Sequence, residues 1–508
     1  MERKFFNHIE QFVKNLESKQ ITVFQWIATS FVIVLVKYIL DLFIGFSIFP
    51  TQHGMISIYS YEISQLLGIL LIIYFFTRED ILKISRIILF FFPLILTGVF
   101  FDLPFNKGKY CSLDVSWVII SHAFKILFNS GLSMYEILKR IFSGQIPLFA
   151  GFFIEVLLIL LLMIIYVFLK TRKFFKSILA GLVGFAFISL CLKIIVFFTF
   201  YSPLNTLFLL ILCLELSLWF FFYNREKFLA IVRNFRVFRL FHFYLMFLLG
   251  LILSAKVYPI FTQYSLKYFF NQISKIIAGL GSISFAWFTA ICLNDVADLK
   301  IDRLSNPMRP LPQGKMTQEE IRKIGGVFFI LCMLFSYTVP PFAYRYLILI
   351  FIGLSYIYSC FPFRLKRFLI ISKLSIATAS LAIVLAGFAI FNKEGNFIKF
   401  PREILGLILI CYTLALNFID IKDAEGDKKA GIDTIPTIFG ENRGKKIIGY
   451  LFIVAYSLAP VILNKLYLMP LSFVVGSINF FILTRPKVKE KYIFIIYYLS
   501  FIGLVLII

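Results

Sequence analysis

The sequence predicts an all-α integral membrane protein, with a nine-helix bundle preceded by an extra bundle of about six transmembrane helices. Three observations carry that expectation. Hydrophobic residues make up 60% of the 508-residue chain and charged residues only 15%, with 65 Phe; mean hydropathy is +0.90. Soluble domains are roughly one quarter charged, so most of this surface is built for lipid. Many apolar runs reach the roughly 20 residues a helix needs to cross a bilayer. They are continuous rather than alternating, which argues against a β-barrel. Finally, Lys and Arg gather in short segments between the runs. The net charge of +24 therefore reads as a membrane topology signal and not as a nucleic-acid footprint.

The N-terminal stretch MERKFFNHIEQFVKNLESKQ is charged, partly acidic and followed by no small-residue cleavage site, so it does not read as a signal peptide. Six spans are expected near 22–49, 55–77, 85–103, 146–169, 177–200 and 205–223. A weaker stretch, 115–129, reads as a re-entrant or interfacial helix, with His122 in a structural role. The segment NREKFLAIVRNFRVFRLFHF (224–243) alternates Arg225, Lys227, Arg233, Arg236 and Arg239 with bulky apolar residues. That pattern predicts a basic amphipathic helix on the membrane surface. It divides the chain into a membrane domain at 1–223, a linker at 224–240 and a second membrane domain at 241–508. Nine spans follow, near 241–262, 272–293, 322–339, 342–360, 371–391, 402–419, 445–463, 466–483 and 491–508. None of the seven Cys forms a CxxC pair, so neither a zinc site nor a disulfide framework is suggested.

Alternating the spans from an inside N-terminus places REDILKISR (78–86), KTRKFFK (170–176), the linker, the loop 294–323, RLKR (364–367), the loop 420–446 and RPKVKEK (485–491) on one side. TQHGM, YSPLN, PPFAYR and NKL, nearly uncharged, fall on the other. The positive side is cytoplasmic. The expectation is a multi-pass protein of the cell membrane with its N-terminus and acidic loops inside and its C-terminus outside.

Two of those inside loops are acidic. In NDVADLKIDRLSNPMRP, Asn294, Asp298 and Asp302 stand four apart, with Asp295 beside them. One helix is expected to carry all four. Like charges at that spacing repel unless a cation sits among them. Hard oxygen ligands in a partly hydrated setting suit Mg²⁺. Arg309 follows in a Pro-stiffened loop, placed to clamp a metal-bound phosphate. In the second, NFIDIKDAEGDKKAGIDTIP, Asp420, Asp423 and Asp427 again follow an apolar run, with Glu425 between them. Two such ends on one membrane face can hold one Mg²⁺ each and grip a diphosphate between them. Between the clusters lies YSCFPFRLKRF, where Arg364, Lys366 and Arg367 are either a topology flank or cation donors to that diphosphate. Tyr358 can offer its ring to a carbocation.

Together these three motifs resemble the UbiA superfamily of intramembrane prenyltransferases, over about 230–508. The resemblance implies a helical bundle with a central cavity open to lipid, two Mg²⁺ ions, and transfer of a prenyl group from a polyprenyl diphosphate to a hydrophobic acceptor through an allylic carbocation. It implies metal ligation by Asp295, Asp298, Asp302, Asp420, Asp423 and Asp427. It implies diphosphate binding by Asn294, Arg309, Tyr358, Arg364 and Lys366, with Asp298, Asp423, Arg309 and Lys366 catalytic. Only six residues separate Asp302 from Arg309, which looks like the geranylgeranylglyceryl-phosphate and chlorophyll-synthase-like branch. A glycerol-ether lipid or a quinone precursor then fits as acceptor. Phosphoribosyl transfer to a polyprenyl phosphate, or a membrane transporter or scaffold without enzymatic activity, are the alternatives. Membrane lipids are the expected surroundings, and no nucleic-acid partner is expected.

The first domain carries no recognised motif. It places Lys37, Asp41, Glu62, Glu155, Lys193 and Glu215 at apparent membrane depth, where ionisable groups are costly. Lys37 and Asp41, four apart, can neutralise each other; Glu155, Lys193 and Glu215 can pair across helices; Glu62 reads as interfacial.

Overall fold

The structure, a computed structural model, describes residues 2–44, 54–102, 150–199, 204–258, 266–392, 395–429, 431–485 and 490–507. The described residues form helices and no strands, as the apolar runs require. Thirteen of these helical stretches are long and apolar enough to cross a membrane, and the protein is an integral membrane protein. The chain divides into two compact units, Met1–Arg225 and Glu226–Ile508.

The first unit opens with the amphipathic helix Glu2–Ser18. Six apolar stretches follow: Val23–Leu40, Ile58–Thr77, Ile81–Phe100, Ile154–Thr171, Phe174–Cys191 and Asn205–Tyr223. They match the six expected spans. The expected re-entrant stretch 115–129, with His122, lies outside the described residues. Several buried charges pair across helices here. Lys37 reaches Glu62 at 2.7 Å and Glu155 at 3.6 Å, and Lys170 reaches Glu17 at 2.6 Å. Glu62 is thus buried and paired, not interfacial. Glu215 is buried as well. The side chains of Asp41 and Lys193 lie outside the described residues.

In the second unit the nine expected spans fall on Val237–Val257, Leu266–Ala297, Gln318–Tyr337, Phe342–Ser359, Leu369–Ala389, the interrupted stretch Arg402–Asp420, Glu441–Ile462, Leu466–Leu483 and Glu490–Ile507. Seven of these are long and apolar enough to cross a membrane; Gln318–Tyr337 is too charged at its start, and Glu490–Ile507 offers only a shorter apolar stretch. Gln318–Tyr337 carries Glu319, Glu320, Arg322 and Lys323 in its first turns. Thr317 and Glu320 form a reciprocal cap there, satisfying two of the helix's first N–H groups.

The basic stretch 224–243 is not one surface helix. It forms a short helix, Arg225–Arg233, then breaks, and Val237–Val257 begins after Arg236 at φ 49°. A non-glycine residue at positive φ has to be held there by its surroundings. Trp287 Nε1 donates to the Phe235 carbonyl at 3.1 Å. The Phe235 ring stacks on Phe288 with centroids 3.9 Å apart, and the Arg236 guanidinium pairs with Asp295. Residues 237–240, expected in the linker, therefore open the first long helix of this unit.

Leu369–Ala389 is the most deeply buried helix of this unit, with Ala377, Ile383, Val384, Ala386 and Phe388 fully shielded. It crosses Val237–Val257 at a pair of glycines. A Cβ on Gly250 would overlap the Val384 carbonyl oxygen, and one on Gly387 would overlap that of Phe247. Close backbone approach through small residues is how helices pack where lipid removes the hydrophobic drive. Gly250→Ala should therefore lower the thermal midpoint of the solubilised protein, by about 1–3 kcal/mol of overpacking, despite alanine's better helix propensity. Gly353→Ala, where an added Cβ meets open space, should not. Differential scanning fluorimetry compares the two, and equal midpoints would remove this crossing as a packing constraint.

Candidate active site

The first acidic motif sits at the end of the long helix Leu266–Ala297. The helix bends at Asp298 (φ −104°) and resumes as Leu299–Ser305. The expected single helix is thus two segments. The four-residue hydrogen bonding still runs through the bend, from Asp298 N to the Asn294 carbonyl and from Asp302 N to the Asp298 carbonyl, each at 2.8 Å. Asn294, Asp298 and Asp302 consequently stay on one side.

The second motif ends a less regular span. Arg402–Gly406 is α-helical, Leu407–Tyr412 is a π-helix, and Leu416–Asp420 is a 3₁₀ turn. A turn at 421–423 leads into the short helix Ala424–Lys429. Asp420, Asp423 and Asp427 face one cavity. Glu425 is turned to the exterior and pairs with Lys429 at 3.3 Å.

The two motifs meet. Asn306 donates from Nδ2 to Asp302 at 3.1 Å and to Asp423 at 3.2 Å. Gly426 lies so close to the first motif that a Cβ there would overlap the Ser305 hydroxyl and crowd Ile301. An Asp-rich segment from each half of the unit is thereby brought to the mouth of one cavity of about 240 Å³. That is far more than a few waters need. Its other walls are largely apolar, with Phe243, Trp287, Phe351, Phe418 and Phe452 among them.

Of the residues expected in the site, Asn294, Asp298, Asp302, Arg309, Tyr358, Lys366, Asp420, Asp423 and Asp427 line this cavity. Asp295 and Arg364 do not. Asp295 is occupied behind the wall, accepting from Asn234 at 2.6 Å and pairing with Arg236 and, at 3.5 Å, with Arg309. Its neighbour position on the helix, about 100° of rotation from Asn294, turns it from the cavity toward those arginines. It holds the cations that face the cavity. Arg364 reaches Asp298 from the side at 3.5 Å, its guanidinium over the Phe361 ring.

Three cations escaped the sequence reading as site residues. Arg236 and Arg239 line the cavity because of the break at 234–236. Lys373, within the apolar run SKLSIATAS, contacts Asp420 at 2.5 Å and is almost fully buried. A lone lysine inside a predicted span was the available signal.

The pairing is nearly complete. Asp298 takes Lys366 and the Asn294 amide (2.7 Å), and Asp302 takes Arg309. Five Asp (298, 302, 420, 423, 427) and five cations (Arg236, Arg239, Arg309, Lys366, Lys373) line the cavity. Among the described residues no three His, Cys, Asp or Glu side chains converge into a ready metal cage, because these cations and Asn306 stand between the carboxylates. The second motif is the less compensated one. The Asp420 Oδ2 atom is buried and accepts no hydrogen bond. Burial, followed by the charges of Asp420 and Asp423, pushes the Asp427 carboxyl up to about 7. Burial also raises Asp302, against the pull of Arg309.

Residues 263–492 match the model of the UbiA prenyltransferase family. A digeranylgeranylglyceryl phosphate synthase of Sulfolobus acidocaldarius is 31% identical over 153 residues, 29% of this chain and 52% of the relative. One of Methanobrevibacter smithii is 27% identical over 192 residues, 37% of this chain and 66% of the relative. The chain thus spans between half and two thirds of the length of these relatives. A UbiA homolog from Archaeoglobus fulgidus, solved bound to GPP and Mg²⁺, is 20% identical at a TM-score of 0.42, over 55% of this chain and 100% of that one. Two ordered acidic motifs thus meet at one cavity in a stretch, 263–492, that is similar to the UbiA prenyltransferase family.

Proposed function

We propose that this protein transfers a prenyl group from a polyprenyl diphosphate to a lipophilic acceptor, releasing diphosphate, with Mg²⁺ as cofactor. The observation that carries the reading is the Asn306 bridge, which puts carboxylates of both motifs within reach of one head group. The donor set fits divalent ions. It is all oxygen, and Mg²⁺ is held by one or two carboxylates with waters and substrate phosphates. The uncompensated Asp420 oxygen and the crowded Asp427 are where such an ion has most to gain. Asp298 and Asp302 on one side, and Asp420, Asp423 and Asp427 on the other, would hold two ions. A cavity lined by five carboxylates and five cations has no surplus positive charge for a diphosphate. Divalent ions, when bound, supply that charge and stabilise the leaving group.

The chain's own residues do the rest. Arg309 and Lys366 now pair with Asp302 and Asp298, and their N–H groups are positioned to turn to phosphate oxygens as negative charge builds there. Asn294 and Tyr358 line the same end. Asp295 orients Arg236 and Arg309, and Arg364 supports Asp298. The aromatic walls take the prenyl chain and exclude water from the allylic cation, which Tyr358 faces with its ring. The relatives' names point to a glycerol-ether acceptor. The chemistry lies in the second unit, Glu226–Ile508, which includes Arg236 and Arg239, and 1–223 stands outside it. The basic loops support an orientation with the acidic motifs and the N-terminus on the cytoplasmic side of the cell membrane and the C-terminus outside.

Asp298→Ala and Asp423→Ala should each lower diphosphate release from a C20 prenyl diphosphate by at least about 100-fold, with unchanged gel-filtration profiles. Full turnover in both would remove the two-motif reading. Excess EDTA should abolish turnover of the wild-type protein, and Mg²⁺ should restore it. Activity that survives chelation would rule out the divalent cofactor.

A further inference from the structure

The apolar part of the same cavity carries a second polar group, set apart from the acidic motifs. His242 lies one turn beyond Arg239 on Val237–Val257, and Tyr412 and Tyr497 come from two other helices. All three line the cavity. The Tyr497 hydroxyl stands 2.8 Å from His242 Nδ1, and the Tyr412 hydroxyl 3.0 Å from Nε2. The Ser380 hydroxyl also approaches Nε2, at 3.1 Å, while its own proton goes to the Ile376 carbonyl at 3.0 Å. The imidazole stacks on the Tyr412 ring, centroids 5.0 Å apart and 17° from parallel.

Polar side chains at membrane depth are costly, and an apolar wall would bind a prenyl chain without them. The local backbone is also unusual. The π-helix Leu407–Tyr412 ends on Tyr412. Such wide turns are rare and concentrate at functional sites. A neutral imidazole has one N–H and one lone pair. With a hydroxyl at each nitrogen, the ring accepts a hydrogen bond on one side and donates one on the other in either tautomer. That is the equipment needed to recognise a hydroxyl group and to deprotonate it.

We propose that His242, with Tyr412 and Tyr497, forms the subsite for the acceptor's nucleophilic hydroxyl and takes up the proton that this hydroxyl loses. The inference rests on the prenyl-transfer reading. The bond from the prenyl C1 to the diphosphate oxygen breaks, and its electron pair leaves with the diphosphate. A lone pair of the acceptor oxygen forms the new bond to C1. The O–H proton passes to the His242 ring nitrogen that carries the lone pair, where the acceptor hydroxyl displaces a tyrosine hydroxyl, and is released to water as the product leaves. Charge and atoms balance, and no oxidant is needed. The acceptor class is an alcohol or phenol, giving an ether.

The test separates ionisation from transfer. The full chain in nanodiscs receives a C20 prenyl diphosphate, Mg²⁺ and a glycerol-monoether phosphate as acceptor probe, and both diphosphate and prenyl ether are quantified. His242→Phe should keep diphosphate release within about threefold of wild type while ether formation falls roughly 100-fold, the balance appearing as prenyl alcohol. Tyr497→Phe, which removes one hydroxyl and keeps the ring, should shift the same ratio by about tenfold in the same direction, and serves if His242→Phe does not fold. An unchanged ratio of ether to diphosphate in the folded variants would overturn the inference, whether both products fall together or neither does. If the wild-type protein releases no diphosphate at all, the prenyl-transfer reading fails, and the subsite falls with it.

Discussion

One amide side chain, Asn306, joins two acidic segments that the chain separates by more than a hundred residues. The geometry of the site depends on that junction. Asn306 ends the short helix Leu299–Ser305, which exists because the long helix before it bends at Asp298. On the facing side, Gly426 supplies a backbone without a side chain, so that Ala424–Lys429 can settle against Ile301 and Ser305. A bulkier residue there would push the carboxylates apart. The close approach is therefore steric in origin and polar in its fine positioning.

Bringing carboxylates together in a low-dielectric wall is costly, and the unit offsets that cost with neighbouring cations. Arg309 answers Asp302, Lys366 answers Asp298 and Lys373 answers Asp420. The compensation is uneven. Asp427 and one oxygen of Asp420 remain the least satisfied groups of the cavity. A carboxylate without its own cation retains the capacity to bind another, while the paired cations remain able to exchange a carboxylate for a phosphate. Binding of an anion together with divalent ions is thus an exchange of partners and not the introduction of naked charge.

The same logic explains the entrance to the first helix of the unit. Arg236 occupies a left-handed backbone position that a non-glycine residue adopts only when held. Asp295 holds it by charge, while the Phe235–Phe288 stack and the Trp287 indole hold the adjoining backbone. Through this turn two arginines that would otherwise lie on the membrane surface face the cavity. In the other unit, Lys37 with Glu62 and Glu155 shows the same rule applied away from any such cavity: charge at membrane depth is accommodated by pairing across helices.

The sequence by itself determined the class of fold, the apolar runs and the two acidic motifs. Each of these is a local property: the length of an apolar run, or carboxylates repeated every three or four residues. It also singled out Arg309 and Lys366, because both stand in short loops next to those runs. What it could not separate was Asp295 from Asp298, since about 100° of helical rotation decides which faces the cavity and which the supporting arginines. Nor could it find Lys373, Arg236 or His242, whose partners lie on other helices and tens to hundreds of residues away. Those assignments belong to the tertiary structure. Only packing fixes which face of each helix meets which neighbour, and in a chain this apolar nearly every face has the same composition.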